Sequence, residues 1–362
     1  MRRTLSRVSL SLAIAFAATT AFAGQAWQVE NSGVTVELRG LSVVSATVAW
    51  ASGAKGTVLR TVDGAHWQAI RVAGADGLDF RDIHAFDAKS ALVMSAGPGA
   101  ASRIYRTDDG GASWRMLATN GFGEGFWDAL AFWDLDNGIL FGDPVNGRFQ
   151  VYVTADGGAT WRQLEGKGLD ALDNEGAFAA SGSALSVAGQ RDAWIVTGGA
   201  QSSRVFHSPD RGATWQAQRL PIPAGAPARG AFSVAFANPR VGYPHVGYPH
   251  VGMAAGGDYK EPALAATNGA RSEDGGATWT AVGILPAGYM SVVVPVPGAP
   301  ASFVAAGLAG SGYSLDAGKS WTAFDRTPIN TVGFATPASG WAVGPKGLLM
   351  KYKGPALRAP PK

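Results

Sequence analysis

Three carboxylates stand at nearly one distance from a recurring tryptophan. Asp82 lies 15 residues after Trp67, Asp128 lies 14 after Trp114, and Glu175 lies 14 after Trp161. Acids spaced in this way occupy one place in a repeated unit, and the same place falls elsewhere on Arg39, Phe232, Ser291 and Asn330. Arg81 precedes Asp82 and Trp127 precedes Asp128, so a cation and aromatic surfaces accompany the acids. Groups of these types around a cavity bind a sugar or a peptide. Two carboxylates flanking a glycosidic bond would instead run general acid and base chemistry. A third reading is structural: the acids cap inner strands or pair with Arg81 and Arg39. Asp258 and Tyr259, followed by Lys260 and Glu261 on a glycine-rich stretch, join the same mouth or form a solvated turn.

Other chemistries find little to work with. The chain has no cysteine, which excludes disulfides, thiolate metal sites and a cysteine nucleophile. His245 and His250 repeat within a tandem Val-Gly-Tyr-Pro-His, but no third ligand stands at metal spacing, so no metal is expected. His66, His84 and His207 are scattered and suggest no triad. No nucleotide fingerprint and no haem-attachment motif occurs, so no cofactor is expected.

The elements that position the acids come from an internal repeat. The pattern Ser/Thr-x-Asp-x-Gly-x-Ser/Thr-Trp appears from Thr107 to Trp114, Thr154 to Trp161, Ser208 to Trp215, Ser272 to Trp279 and Ser314 to Trp321. A copy one residue short runs from Thr61 to Trp67. Its aspartates are Asp63, Asp109, Asp156, Asp210, Asp274 and Asp316, and its tryptophans are spaced 47, 47, 54, 64 and 42 residues apart. The box reads as a hairpin turn: Asp accepts backbone N–H groups, Gly takes a backbone angle other residues avoid, and Trp opens the next strand and packs against the neighbouring repeat. Before each box lies an apolar strand ending in glycine, such as Ala49 to Gly53 or Gly138 to Gly142, and Gly340 to Gly344 repeats it in the last unit. Four short strands per unit of about 47 residues is a β-propeller blade.

Six boxes close six hairpins. A seventh unit, Thr331 to Lys353, has a strand pair and no box, and Trp27 to Val29 resembles the strand that follows a box. The expected fold is therefore an all-β, seven-bladed propeller over residues 24–353, closed by the N-terminal strand of the mature chain, with a loose tail from 354 to 362.

The boxes are the Asp-box, or BNR repeat, of sialidases, sortilin-type receptors and related propellers. With Gly340-Trp-Ala-Val-Gly344 the chain resembles more closely the photosystem II stability/assembly factor-like family of exported seven-bladed propellers. That resemblance covers the whole mature chain and implies a non-enzymatic protein that holds a protein partner. The alternative is a sialidase-like glycoside hydrolase acting on a glycan. For it Phe80-Arg81-Asp82-Ile83 copies only the first two letters of the sialidase arginine motif, and Tyr289 has no identified partner as nucleophile.

Composition agrees with a large β core. Of 362 residues 46% are apolar, 16% are charged and 50 are glycine, which excludes a disordered chain and suits many tight turns. Residues 1–23 read as a secretory signal, with Arg2, Arg3 and Arg7, an apolar stretch from Val8 to Ala18, and Ala21-Phe22-Ala23 before the cleavage point. A periplasmic or secreted protein is expected, a monomer with no transmembrane segment after cleavage. Losing those three arginines leaves 27 charges of each sign, which gives no global pull toward nucleic acid.

Overall fold

The computed structural model describes residues 26–237, 251–264, 267–283, 285 and 287–359. His245, His250 and the leader lie outside the described residues. Seven four-stranded antiparallel sheets form the molecule. Numbered from the inner strand outward, blade 1 is Leu38–Val43, Ala49–Gly53, Thr57–Thr61 and Gln68–Arg71, and blade 2 is Phe80–Ala85, Ala91–Ser95, Arg103–Thr107 and Arg115–Thr119. Blade 3 is Trp127–Phe132, Gly138–Val145, Arg148–Thr154 and Arg162–Gln163, and blade 4 is Leu185–Ala188, Asp192–Thr197, Arg204–Ser208 and Gln216–Arg219. Blade 5 is Arg229–Phe236, Gly252–Asp258, Gly269–Ser272 and Thr280–Ala281, and blade 6 is Val292–Val296, Ala299–Gly307, Gly310–Ser314 and Thr322–Asp325. Blade 7 takes Thr331–Thr336, Ser339–Val343 and Leu349–Tyr352 from one end of the chain and Trp27–Glu30 from the other. The seventh unit thus holds three strands rather than a pair. Each inner strand packs on the next, and that of blade 7 packs on that of blade 1.

The burial follows the position of each strand in its blade. Second strands such as Ala49–Gly53 and Ala91–Ser95 are buried throughout, because a neighbouring blade covers each face. Outer strands such as Gln68–Arg71 expose all but one residue. The last described residues are not loose: Leu357 is buried in the blade 7 core, and its N–H bonds to the carbonyl of Pro337.

The boxes fold as turns between third and fourth strands. In the second one Thr107 Oγ1 donates to Asp109 Oδ1, and Asp109 accepts from the N–H and the hydroxyl of Ser113 at 2.9 and 2.6 Å. The same bonds recur around Asp156, Asp210, Asp274 and Asp316. In the short copy the His66 ring takes the hydroxyl's place on Asp63. Gly111 has φ +89°, and a Cβ there would strike Ile70 of the preceding blade, so the glycine is needed for both conformation and approach. The tryptophans then pack on neighbouring strands: Trp67 meets Trp341 of blade 7 and Trp114 meets Trp50 of blade 1, both edge to face. Deep burial, as packing between repeats would suggest, holds for Trp215 and for Trp27, whereas Trp67, Trp114, Trp161, Trp279 and Trp321 are half-buried.

Candidate functional site

The inner strands share one irregularity. In blades 1, 2, 3 and 5 the pairing with the second strand skips a residue, at Arg39, Arg81, Asp128 and Phe232. A bulge at one register re-aims a side chain each time, here near the end of the strand farthest from the box turns. Ser291 and Asn330 stand immediately before the inner strands of blades 6 and 7, with their N–H groups bonded to Ala306 and Val343. The sequence reading grouped Asp82, Asp128 and Glu175 as equivalents; the register corrects this. The 14-residue offset lands on Arg81 and Asp128, and Asp82 is one place further along its strand. Glu175 lies on no inner strand, because the interval after Trp161 carries extra residues and its blade begins only at Leu185.

Those extra residues occupy the centre. The segment 177–184 leaves blade 4 and runs across the channel, touching four other blades. Ala177 N–H donates to Asp143 Oδ1 of blade 3 at 2.8 Å, and Arg81 of blade 2 donates to the Ala179 carbonyl at 3.4 Å. A side chain at Gly182 would run into the Asp82 carboxylate. Phe178 stacks on Phe232 of blade 5, ring centroids 3.7 Å apart. Ser181 donates to the Ser291 carbonyl of blade 6, and Ser183 donates to Ser233 of blade 5. The channel is thereby plugged from within. The one sequence signal for this was the lengthened interval of 54 residues between Trp161 and Trp215.

Of the acids around the plug, Asp82, Asp128 and Glu175 are buried and Asp143 is partly exposed. Asp82 accepts N–H groups from Ile83 and from Leu130 of the next blade, at 2.8 and 2.7 Å, yet burial pushes its carboxyl up to about 7. Asp143, in the second strand Gly138–Val145 of blade 3, is raised by burial to about 6. Asp128 is 1% exposed, and the backbone N–H groups of Asp143 and Ala179 lie near enough to its carboxyl to favour the charged form. Burial first, and the neighbouring Asp143 second, hold its carboxyl well above the ordinary carboxylate range, while Arg81 pulls the other way. Glu175 is a different case: Arg204 grips it through Nε and Nη2, and Thr197 Oγ1 and Leu172 N–H complete its shell.

The remaining candidates divide between support and surface. Trp127 is in the core against Tyr152 and offers no surface to a ligand. Asn330 is buried, donating to the Leu38 carbonyl and to Glu37. Asp258 is buried and paired with Arg229 at 3.2 Å. Arg39 and Arg81 each pair with the carboxylate two residues earlier, Glu37 at 2.9 Å and Asp79 at 2.8 Å. Tyr259 is 42% exposed, with its ring edge-on to Phe232, which in turn meets Tyr289. Among the described residues no group of three His, Cys, Asp or Glu side chains converges as a metal would require. Two open clefts, of about 420 and 450 Å³, lie instead beside blade 3, where the outer strand Arg162–Gln163 is only two residues long.

No protein-family model and no curated protein matches the chain. Solved structures do. YCF48 bound to a D1 peptide superposes with a TM-score of 0.61 at 14% identity, over 91% of this chain and 96% of that one. YCF48 from Cyanidioschyzon merolae gives 0.60 at 16%, over 91% and 99%. A catalytically inactive virginiamycin B lyase from Staphylococcus aureus with quinupristin gives 0.63 at 11%, over 91% and 99%. What likeness at such identity carries is architecture, and it agrees with the strand pairing: this chain is a seven-bladed β-propeller.

Proposed function

We propose that the chain is an exported, non-enzymatic propeller that binds a segment of a protein partner on the face where the inner strands begin. Tyr259 carries the reading. It is an exposed ring standing on an aromatic stack of the buried Phe232 and Tyr289 and the partly buried Phe178. A rigid, amphipathic ring of this kind is a favoured anchor in protein recognition. Arg39, on the blade 1 bulge of that face, is engaged by Glu37 through one guanidinium nitrogen and keeps donors for a peptide carbonyl or carboxylate. A propeller of similar shape, YCF48, has been solved bound to a peptide. The leader-like residues 1–23 support export.

The glycosidase alternative draws no support from the three acids named for it. Asp82, Asp128 and Glu175 are each at most 7% exposed, and Glu175 is committed to Arg204. A two-carboxylate mechanism needs its pair in an open cleft.

The test is capture from native periplasmic extract on the immobilised mature chain, with Tyr259→Ala and Arg39→Ala in parallel. One protein should be enriched by the wild type and lost from both variants. Equal retention by both, or capture of glycans alone, would overturn the reading.

A further inference from the structure

Blades 2, 4 and 5 share a feature that blade 3 lacks. Four places before the hydroxyl residue that opens each box, their third strands carry Arg103, Arg204 and Asn268. Each donates to a nearby acceptor: Arg103 Nε to the Ala100 carbonyl at 2.6 Å, Arg204 Nε to Glu175 at 2.8 Å, and Asn268 Nδ2 to the Gly288 carbonyl. Gln150 holds that place in blade 3. Its Oε1 accepts from Asn120 Nδ2 at 3.2 Å, and Asn120 Oδ1 accepts the Phe122 N–H at 3.0 Å. Turning over either amide, or both, would set like groups face to face, so the Phe122 N–H fixes both orientations. Gln150 Nε2 is therefore a donor without an acceptor, on a residue only 3% exposed. A buried donor left unpaired is costly, and an incoming oxygen relieves it.

Gln150 lines the cleft of about 420 Å³ beside blade 3. The cleft exists because the outer strand Arg162–Gln163 stops early. Leu164 still donates its N–H to the Val151 carbonyl at 2.9 Å, and the chain returns to the strand edge only at Leu169, whose carbonyl accepts the Phe149 N–H at 3.1 Å. Phe122 supplies an apolar wall, and Arg148, Glu165 and Asp170 complete the lining. The space far exceeds the share of a single water, about 30 Å³.

The lining selects the ligand class. Arg148 is tied to Asp170 Oδ1 through Nε and Nη2, at 3.1 and 2.9 Å. Glu165 forms no ion pair among the described residues. One cation thus faces two carboxylates, which disfavours a phosphate or a carboxylate ligand. The free N–H₂ of Gln150 disfavours a cation. A neutral ligand must then bring an acceptor to Gln150 and donors to Glu165 and Asp170. Hydroxyl groups do both, and the C–H face of a sugar ring suits Phe122. We propose that this cleft binds a neutral saccharide, with a sugar oxygen on Gln150 Nε2 and sugar hydroxyls donating to Glu165 and Asp170.

Nitrogen-15 NMR of the mature chain, titrated with glucose, N-acetylglucosamine, maltose and chitobiose, tests this. At least one sugar should give saturable shifts below about 10 mM, centred on the Gln150 side-chain N–H₂ and on the backbone amides of 145–150 and 163–166. Gln150→Leu removes the donor, and Glu165→Ala removes an exposed acceptor without disturbing the core. Each should weaken binding of that sugar at least about tenfold. Glu165→Ala keeps the test decisive where the buried substitution lowers stability. Glucose 6-phosphate should bind no better than glucose. No saturable shift from any of the four sugars, shifts confined to another blade, unchanged binding in Glu165→Ala, or tighter binding of the phosphate ester would each overturn the site.

Discussion

Trp27 stands directly opposite Tyr352 across the seam that closes the ring, with ring centroids 5.3 Å apart and planes at 72°. Phe324 and Phe334 meet the same tryptophan edge-on, at 5.9 Å each. Four rings from four strands thus hold the two ends of the chain together. Trp27→Ala should cost about 3 to 5 kcal/mol, the range for a large buried aromatic. Denaturant unfolding measures this, and light scattering should show aggregation, because a detached outer strand bares the edge of Leu349–Tyr352. An unchanged midpoint would remove the seam from the account of stability.

The box tryptophans should not be equivalent. Trp215 is 5% exposed and its Nε1 donates to the Gly212 carbonyl at 2.9 Å. Trp114 is half-buried and its Nε1 has no partner. Trp215→Ala should therefore cost about 3 to 5 kcal/mol and Trp114→Ala at least about 1 kcal/mol less. Equal losses in paired urea titrations would mean that the turn, rather than the ring, is what each box contributes.

Blade number and ring closure were legible because both rest on local chemistry. A turn that needs Asp, Gly and Trp at fixed spacing leaves its mark in every copy, and Trp27 carries the mark without the turn. The site was less legible. Offsets from a tryptophan located the bulge residues Arg39, Asp128 and Phe232 and put Asp82 where Arg81 stands, and a one-residue difference decides whether a strand side chain faces the channel or its neighbour. Asp82 was misaligned for that reason, and Glu175 because the interval after Trp161 carries extra residues. Beyond the lengthened interval the plug left no mark, since Ala177 to Ala184 has no motif, and its partners Asp143, Phe232 and Ser291 are distant in sequence.

Glu175 and Arg204 form a buried pair, with the side chains 0% and 13% exposed. Glu175→Gln keeps the shape and removes the charge, leaving Arg204 buried without a counter-ion. The expected loss is about 3 to 5 kcal/mol. Replacing both, as Glu175→Gln with Arg204→Met, should recover part of it, because the uncompensated charge is then absent. A double variant no more stable than the single one would show that Glu175 acts through Thr197 and the Leu172 N–H instead.

Stability should peak at acidic pH, and two sets of acids set the limits. Asp82 and Asp143 are raised from 3.8 to about 7 and about 6, and Asp128 is raised well above the ordinary value by burial and by Asp143. For a raised carboxyl the folded state binds the proton more tightly, so its contribution is fully present below the ordinary value near 4 and is lost as pH rises through the folded one. The box acids run the opposite way. Asp109 is lowered to about 2, chiefly by the Ser113 hydroxyl and N–H, so its contribution is present above about pH 4 and is lost as pH falls toward 2. Thermal melts should thus give a midpoint that climbs from about pH 8 to about pH 5 and drops below about pH 3. Asp143→Asn should flatten the climb and leave the acid drop unchanged, while Asp109→Asn should blunt the drop and leave the climb. A midpoint highest at neutral pH, with no change of slope in Asp143→Asn, would show that the buried acids of the channel do not titrate in the folded protein over this range.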